Sequence, residues 1–130
     1  MKKFLKFPIL FITIMSLNFL NIVPIASAIS EVDWLLLKEN DDGKEWIDMG
    51  SIKKINTNEL SVLTKYFQNP SKGKVKGETN LYVMRINCDN REYKDISVNG
   101  IPSFKAKWRT SNDDELIDVV IDKSCSELKT

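Results

Sequence analysis

Between Trp34 and Arg109 the apolar residues recur largely at alternate positions; from Leu116 onward they recur every third or fourth. The first period is that of strands with one buried face, the second that of an amphipathic helix. WLLLKE (Trp34 to Glu39) reads as a first strand, NDDG (Asn40 to Gly43) as a turn whose Asp-Gly pair accepts positive φ, and KEWID (Lys44 to Asp48) as the return strand. The following DMGSI predicts a tight corner, with Asp48 accepting hydrogen bonds from the amides just after it and Ile52 folding back onto the core. NELSVLTKYFQ (Asn58 to Gln68) is the longest β-prone run. NPSKGKVKGE (Asn69 to Glu78) is a loop.

TNLYVMRINC puts Tyr82, Met84, Ile86 and Cys88 on one strand face, and DN (Asp89, Asn90) turns the chain into REYKDISV. Asn99-Gly100 is a strong hairpin signal. SFKAKWR then alternates cleanly, with Phe104, Ala106 and Trp108 on one face and Lys105, Lys107 and Arg109 on the other, which predicts a half-buried strand. In TSNDDELIDVVIDKSCSEL, Ser111 and Asn112 are cap candidates, Glu115 lies three past Asn112 as in a capping box, and the acids favour a helix N-terminus. Leu116, Val119 and Val120 would form the buried stripe, with Lys123 in the last turn and Cys125 at the helix end; a strand over Leu116 to Ile121 is the alternative. The expected fold is α+β: an antiparallel meander of about five to six strands with a C-terminal helix packed on one face.

The N-terminus has a different pattern. MKKFLKFPILFITIMSLNFLNIVPIASA opens on Lys2, Lys3 and Lys6, continues as an apolar stretch broken by Pro24, and ends on the small-x-small Ala26-Ser27-Ala28. That is a signal peptide over 1–28, with an uncleaved membrane anchor as its rival, and it leaves a single domain over 29–130. No cysteine follows the cleavage point, so a lipid anchor is disfavoured. The leader holds three of the 19 basic residues and none of the 18 acidic ones, so the mature domain carries 16 against 18, a net −2. Nucleic-acid binders show a basic surplus or stripe, and this exported chain lacks the surplus.

Export brings an oxidising compartment. Two cysteines, Cys88 and Cys125, read most simply as one disulfide, with free or intermolecular thiols as the alternative. The chain has no histidine, so two thiolates would make a poor zinc site and a catalytic thiol would lack its base. A bridge of this span stabilises by roughly 3–4 kcal/mol in the chain-entropy model. A domain this short is marginal on core burial alone, so such a staple would matter.

WLLL…GKEWIDMGSIKK, RINCDNREYK and the cysteine after a C-terminal helix resemble the bacterial surface-adhesin protein E-like family, over Trp34 to Cys125. The resemblance implies an antiparallel sheet with a C-terminal helix and the disulfide. In the family's namesake it implies a host-binding adhesin that engages matrix proteins and haem. The namesake is lipid-anchored, and this leader lacks the lipidation cysteine.

Without histidine there is no Ser-His-Asp or Cys-His arrangement, and Gly73 and Gly77 lack the helix that follows a phosphate loop. A two-carboxylate hydrolase would need only proximity in space. Asp41 and Asp42 read as turn residues rather than calcium ligands, and haem iron would have to find Tyr, Met or a free Cys. No metal or cofactor is expected, and the chain reads as non-catalytic. Two basic groups are candidate anion sites, Lys105, Lys107 and Arg109 on the alternating segment and Lys72, Lys74 and Lys76 in the loop, each set against an ordinary solvated surface. The reading is an exported adhesin-like binding module for a protein or polyanionic surface ligand. The alternative is a soluble periplasmic accessory or small-ligand-binding protein. A flat basic or aromatic face would favour the first, and an apolar concave pocket the second.

Overall fold

The computed structural model describes residues 31–71 and 74–130; the leader and Lys72 lie outside the described residues. Among the described residues seven strands form one antiparallel sheet: β1 (Trp34–Glu39), β2 (Gly43–Asp48), β3 (Lys53–Lys54), β4 (Glu59–Gln68), β5 (Glu78–Asn87), β6 (Glu92–Val98) and β7 (Ile101–Pro102). The order is β1-β2-β4-β5-β6-β7, with β3 beside the first half of β4 and β2 beside its second half. The sheet is therefore a meander whose second row is broken at the predicted corner. Among the described residues a single α-helix, α1 (Glu115–Leu128), lies across one face.

The corner is a short 3-10 turn over Met49–Ser51. Asp48 is 7% exposed, and its Oδ1 accepts from Gly50 N at 3.1 Å and from Asp33 N at 2.9 Å. Ser51 Oγ donates to Asp48 O at 2.7 Å and accepts from Leu63 N at 2.8 Å, which ties the corner to β4. The conspicuous Ile-Asp-x-x-Ser motif is thus a set of backbone hydrogen bonds met by side chains where the ladder stops.

Pairing register fixes one inward face: Ile47 from β2, Leu60 and Val62 from β4, Met84 and Ile86 from β5, and Tyr93 from β6. Leu116, Val120 and Ile121 of α1 close over it. Covalent and ionic ties hold the helix there, including Lys38 Nζ to Glu115 Oε2 at 2.7 Å in its first turn. Cys88, just past β5, is bonded to Cys125, and Arg91 in the next turn reaches Asp122 at 2.6 Å.

Three expectations are corrected. SFKAKWR is not a strand: β7 ends at Pro102, the chain turns at Phe104, and Arg109 alone returns, bridging Tyr93. Ser103 N still reaches Ile96 O at 2.9 Å, after which the turn at Phe104 takes the chain off the edge of β6, so the alternation has no ladder partner until Arg109. Phe104, expected on the buried face, is 94% exposed. The helix cap is Asp114, whose side chain accepts from Leu116 N and Ile117 N, and not Ser111 or Asn112. Asn112 and Asp113 have φ of 51° and 64°, a reversal that cannot continue into a right-handed helix. Finally, Cys125 lies inside α1, which runs on to Leu128; Lys123 is mid-helix and pairs with Glu127 at 2.7 Å. No Gly or Pro in KSCSELK stops the helix at the cysteine.

Candidate functional site

Because α1 covers one face of the sheet, the two faces have different fates. On the uncovered face, Trp34 of β1, Trp46 of β2 and Lys65 of β4 lie side by side, because Trp46 pairs with Lys65 and Trp34 falls on the same face. Lys65 Nζ is 4.5 Å from the centroid of each indole, a double cation–π contact. Lys94 of β6 lies 4.5 Å over Trp108 from the loop after β7. All three tryptophans of the chain thus hold a lysine. Leu36 and Leu81 on this face are 47% and 39% exposed. Arg85 is paired to Glu59 at 2.6 Å, whereas Lys65 and Lys94 have no carboxylate partner among the described residues.

On the covered face, α1 stops short of the sheet's far end and leaves a cleft of about 210 Å³. Its walls carry all three tyrosines of the chain, Tyr66, Tyr82 and Tyr93, together with Glu45, Asp95 and Arg109. Leu116 and Ile117 close it from the helix side. These residues meet through register: Glu45 pairs with Tyr66, Thr64 with Tyr82, and Met84 with Asp95. Arg109 bonds Asp95 and lies 4.7 Å over the Tyr93 ring.

Glu45 is 2% exposed. Burial pushes its carboxyl up to about 8; the Thr64 hydroxyl opposes this and the charges of Asp114 and Asp95 add to it. The single Thr64 proton is shared, since Oγ1 also lies 3.6 Å from Met84 Sδ, and the carboxylate is the stronger acceptor whenever it is ionised. Burial also raises Asp95, against the pull of Arg109, and raises all three tyrosines.

The two candidate anion groups lie apart. Lys105, Lys107 and Arg109 line one depression, with Arg109 also engaged by Asp95 and facing the cleft. Lys74 and Lys76 line a separate depression beside Gln68 and Glu78. Sequence reasoning missed Glu45 and the tryptophan–lysine contacts. A signal existed for Glu45: it has the parity of the inward Ile47, and a charge on an inward strand face is unusual.

These features define a small disulfide-stapled sheet-and-helix domain that offers surfaces for binding. The model of the surface adhesin-E family matches residues 35–130, and the chain belongs to that family. Membership indicates a surface, adhesin-like role and an exported or surface location. No curated protein and no solved structure is significantly similar to the chain. Among the described residues no helix is long and apolar enough to cross a membrane.

Proposed function

We propose that this protein is exported by cleavage of its leader after Ala28 and acts as a non-catalytic adhesin-like module that binds an acidic protein or polyanionic surface ligand through the uncovered sheet face. The observation that carries the reading is the Trp34–Lys65–Trp46 stack on a face that no other element among the described residues covers, repeated nearby by Lys94 and Trp108. Tryptophan with an adjacent cation is the composition of binding hot spots, and ladder pairing pre-orders it, so little side-chain entropy remains to be lost. Exposed Lys105 and Lys107 would extend the attraction as rim charges that mainly affect encounter rate.

The test is retention of the purified protein on immobilised heparin and on poly-glutamate at low salt. Retention should fall as ionic strength rises, because screening shortens the reach of surface charge. Lys65→Glu with Lys94→Glu should abolish it, and Lys105→Glu with Lys107→Glu should weaken it less. No retention on either matrix at low salt, or retention indifferent to the Lys65 and Lys94 changes, overturns the sheet-face reading. The cleft on the other face favours the second reading, a small-ligand-binding protein of the envelope.

A further inference from the structure

We infer that the cleft between the end of α1 and the sheet binds a small primary alkylammonium compound, with the Glu45 carboxylate as counter-ion and the rings of Tyr66 and Tyr82 as walls. This site lies on the opposite side of the sheet from the stacked tryptophans and does not depend on them.

The first support is a missing partner. Glu45 is almost wholly buried yet borders the cleft. Its ladder neighbours are Lys38 on β1 and Tyr66 on β4. Lys38 is turned to the helix, where Nζ meets Glu115 Oε2 at 2.7 Å. Arg109 is held by Asp95. Both cations on this face near the cleft are therefore committed to other carboxylates, and among the described residues Glu45 keeps only the shared Thr64 hydroxyl. A buried carboxylate in this position must either stay protonated or receive a cation from outside.

The second support is the wall chemistry. The lining acids are Glu45, Asp95 and Asp114, against the single lining base Arg109. Asp41 and Asp42 border an adjoining depression that shares Tyr66. Arg109 over Tyr93 shows that these ring faces already accept a cation, while Tyr66 and Tyr82 hold none among the described residues. The third support is size. A volume of about 210 Å³ is below that of a cleft for a drug-sized ligand, and it suits a short carbon chain ending in an ammonium group.

Binding exchanges a proton for the ligand's charge. The ammonium forms an ion pair with the Glu45 carboxylate, and the Glu45 proton leaves to solvent. The groups facing Glu45 are Lys38 from β1, Tyr66 from β4, Tyr82 from β5, Tyr93 and Asp95 from β6, Arg109, and Asp114 at the helix cap. The tyrosines, all shifted upward, stay neutral through the range of the experiment.

The experiment is a calorimetric titration of the purified protein with n-butylamine, which stays protonated below about pH 10 as lysine does. Because Glu45 titrates at about 8, affinity should rise about fiftyfold between about pH 6 and about pH 8 and then level off, with a proton released to the buffer on binding at the lower pH. Glu45→Gln, which keeps the shape of the protonated carboxyl, should remove the pH dependence and weaken binding at about pH 9 at least tenfold. Tyr82→Leu should weaken binding about three- to tenfold with the pH slope intact, which keeps the inference testable if the Glu45 variant does not fold. Lys65→Glu with Lys94→Glu should change nothing here, which separates this site from the sheet-face reading. No saturable heat at about pH 9, equal binding of n-butanol, or an unaltered titration in Glu45→Gln would each overturn the inference.

Discussion

Cys88 and Cys125 join the end of the central hairpin to the last turns of the helix, with their Cα atoms 5.6 Å apart and a sequence separation of 37. The bond lies at the end of the helix opposite to the cleft, with the Arg91–Asp122 pair beside it. Reduction, or the double change Cys88→Ser with Cys125→Ser, should lower stability by roughly 2–5 kcal/mol, as for other small stapled domains. Hydrogen exchange should show α1 losing protection before β4 and β5, because a helix of 14 residues is marginal without its tertiary contacts. Equal loss of protection in helix and sheet would mean that the bond stabilises the domain only as a whole.

The corner makes a second prediction. Asp48→Ala strands the amides of Asp33 and Gly50, and Ser51→Ala strands that of Leu63. Each should cost about 1–3 kcal/mol in urea unfolding, with Asp48→Asn recovering much of the loss because it still offers an acceptor oxygen. A loss below about 0.5 kcal/mol for Asp48→Ala would show that water replaces the carboxylate.

Ser124 is fully buried at the helix–sheet contact, and its hydroxyl has no hydrogen-bond partner among the described residues. Ser124→Ala should therefore stabilise the protein by about 0.5–1.5 kcal/mol, from relief of desolvation and from better helix propensity. A destabilising result would reveal an ordered water bound to the hydroxyl.

Stability should depend on pH through Glu45. Its folded value of about 8 lies above the unfolded one of 4.5, so the folded state holds the extra proton between them. The sign is then fixed: the contribution is full below about pH 4.5, declines as pH rises, and is lost above about 8. The full span is on the order of 5 kcal/mol, and the upward shift of Asp95 acts in the same direction. Glu45→Gln should flatten the curve and be more stable than the parent at about pH 9. A parent curve that is flat across this range would show that Glu45 is solvated.

The leader makes a fifth prediction. Mass spectrometry of the exported protein should find Ile29 at the N-terminus, and Ala28→Leu should slow processing because the cleavage pocket takes small residues. An intact N-terminus in the membrane fraction would make the protein an anchored one.

Much of this molecule was decided by local sequence. Strand parity is a property of the chain, so the inward set Met84, Ile86 and Cys88 could be read without a structure. So could the Asn99-Gly100 turn, whose residues have φ of 50° and 80°, because few other pairs take that conformation cheaply. The disulfide was the simpler of two readings of two thiols in a chain without histidine and with an export leader pattern, and the fold brings them into bonding distance. What the sequence could not decide were the relations between strands. That Lys65 sits between Trp34 and Trp46 depends on the register of three strands brought together from distant parts of the chain. That SFKAKWR is a loop depends on the turn at Phe104 carrying the chain away from β6, and alternation alone cannot report a missing neighbour. That Glu45 is buried without a cation depends on where Lys38 and Arg109 are drawn by other carboxylates. Local periodicity is encoded residue by residue, whereas burial and charge pairing belong to side chains that meet only when the sheet has formed.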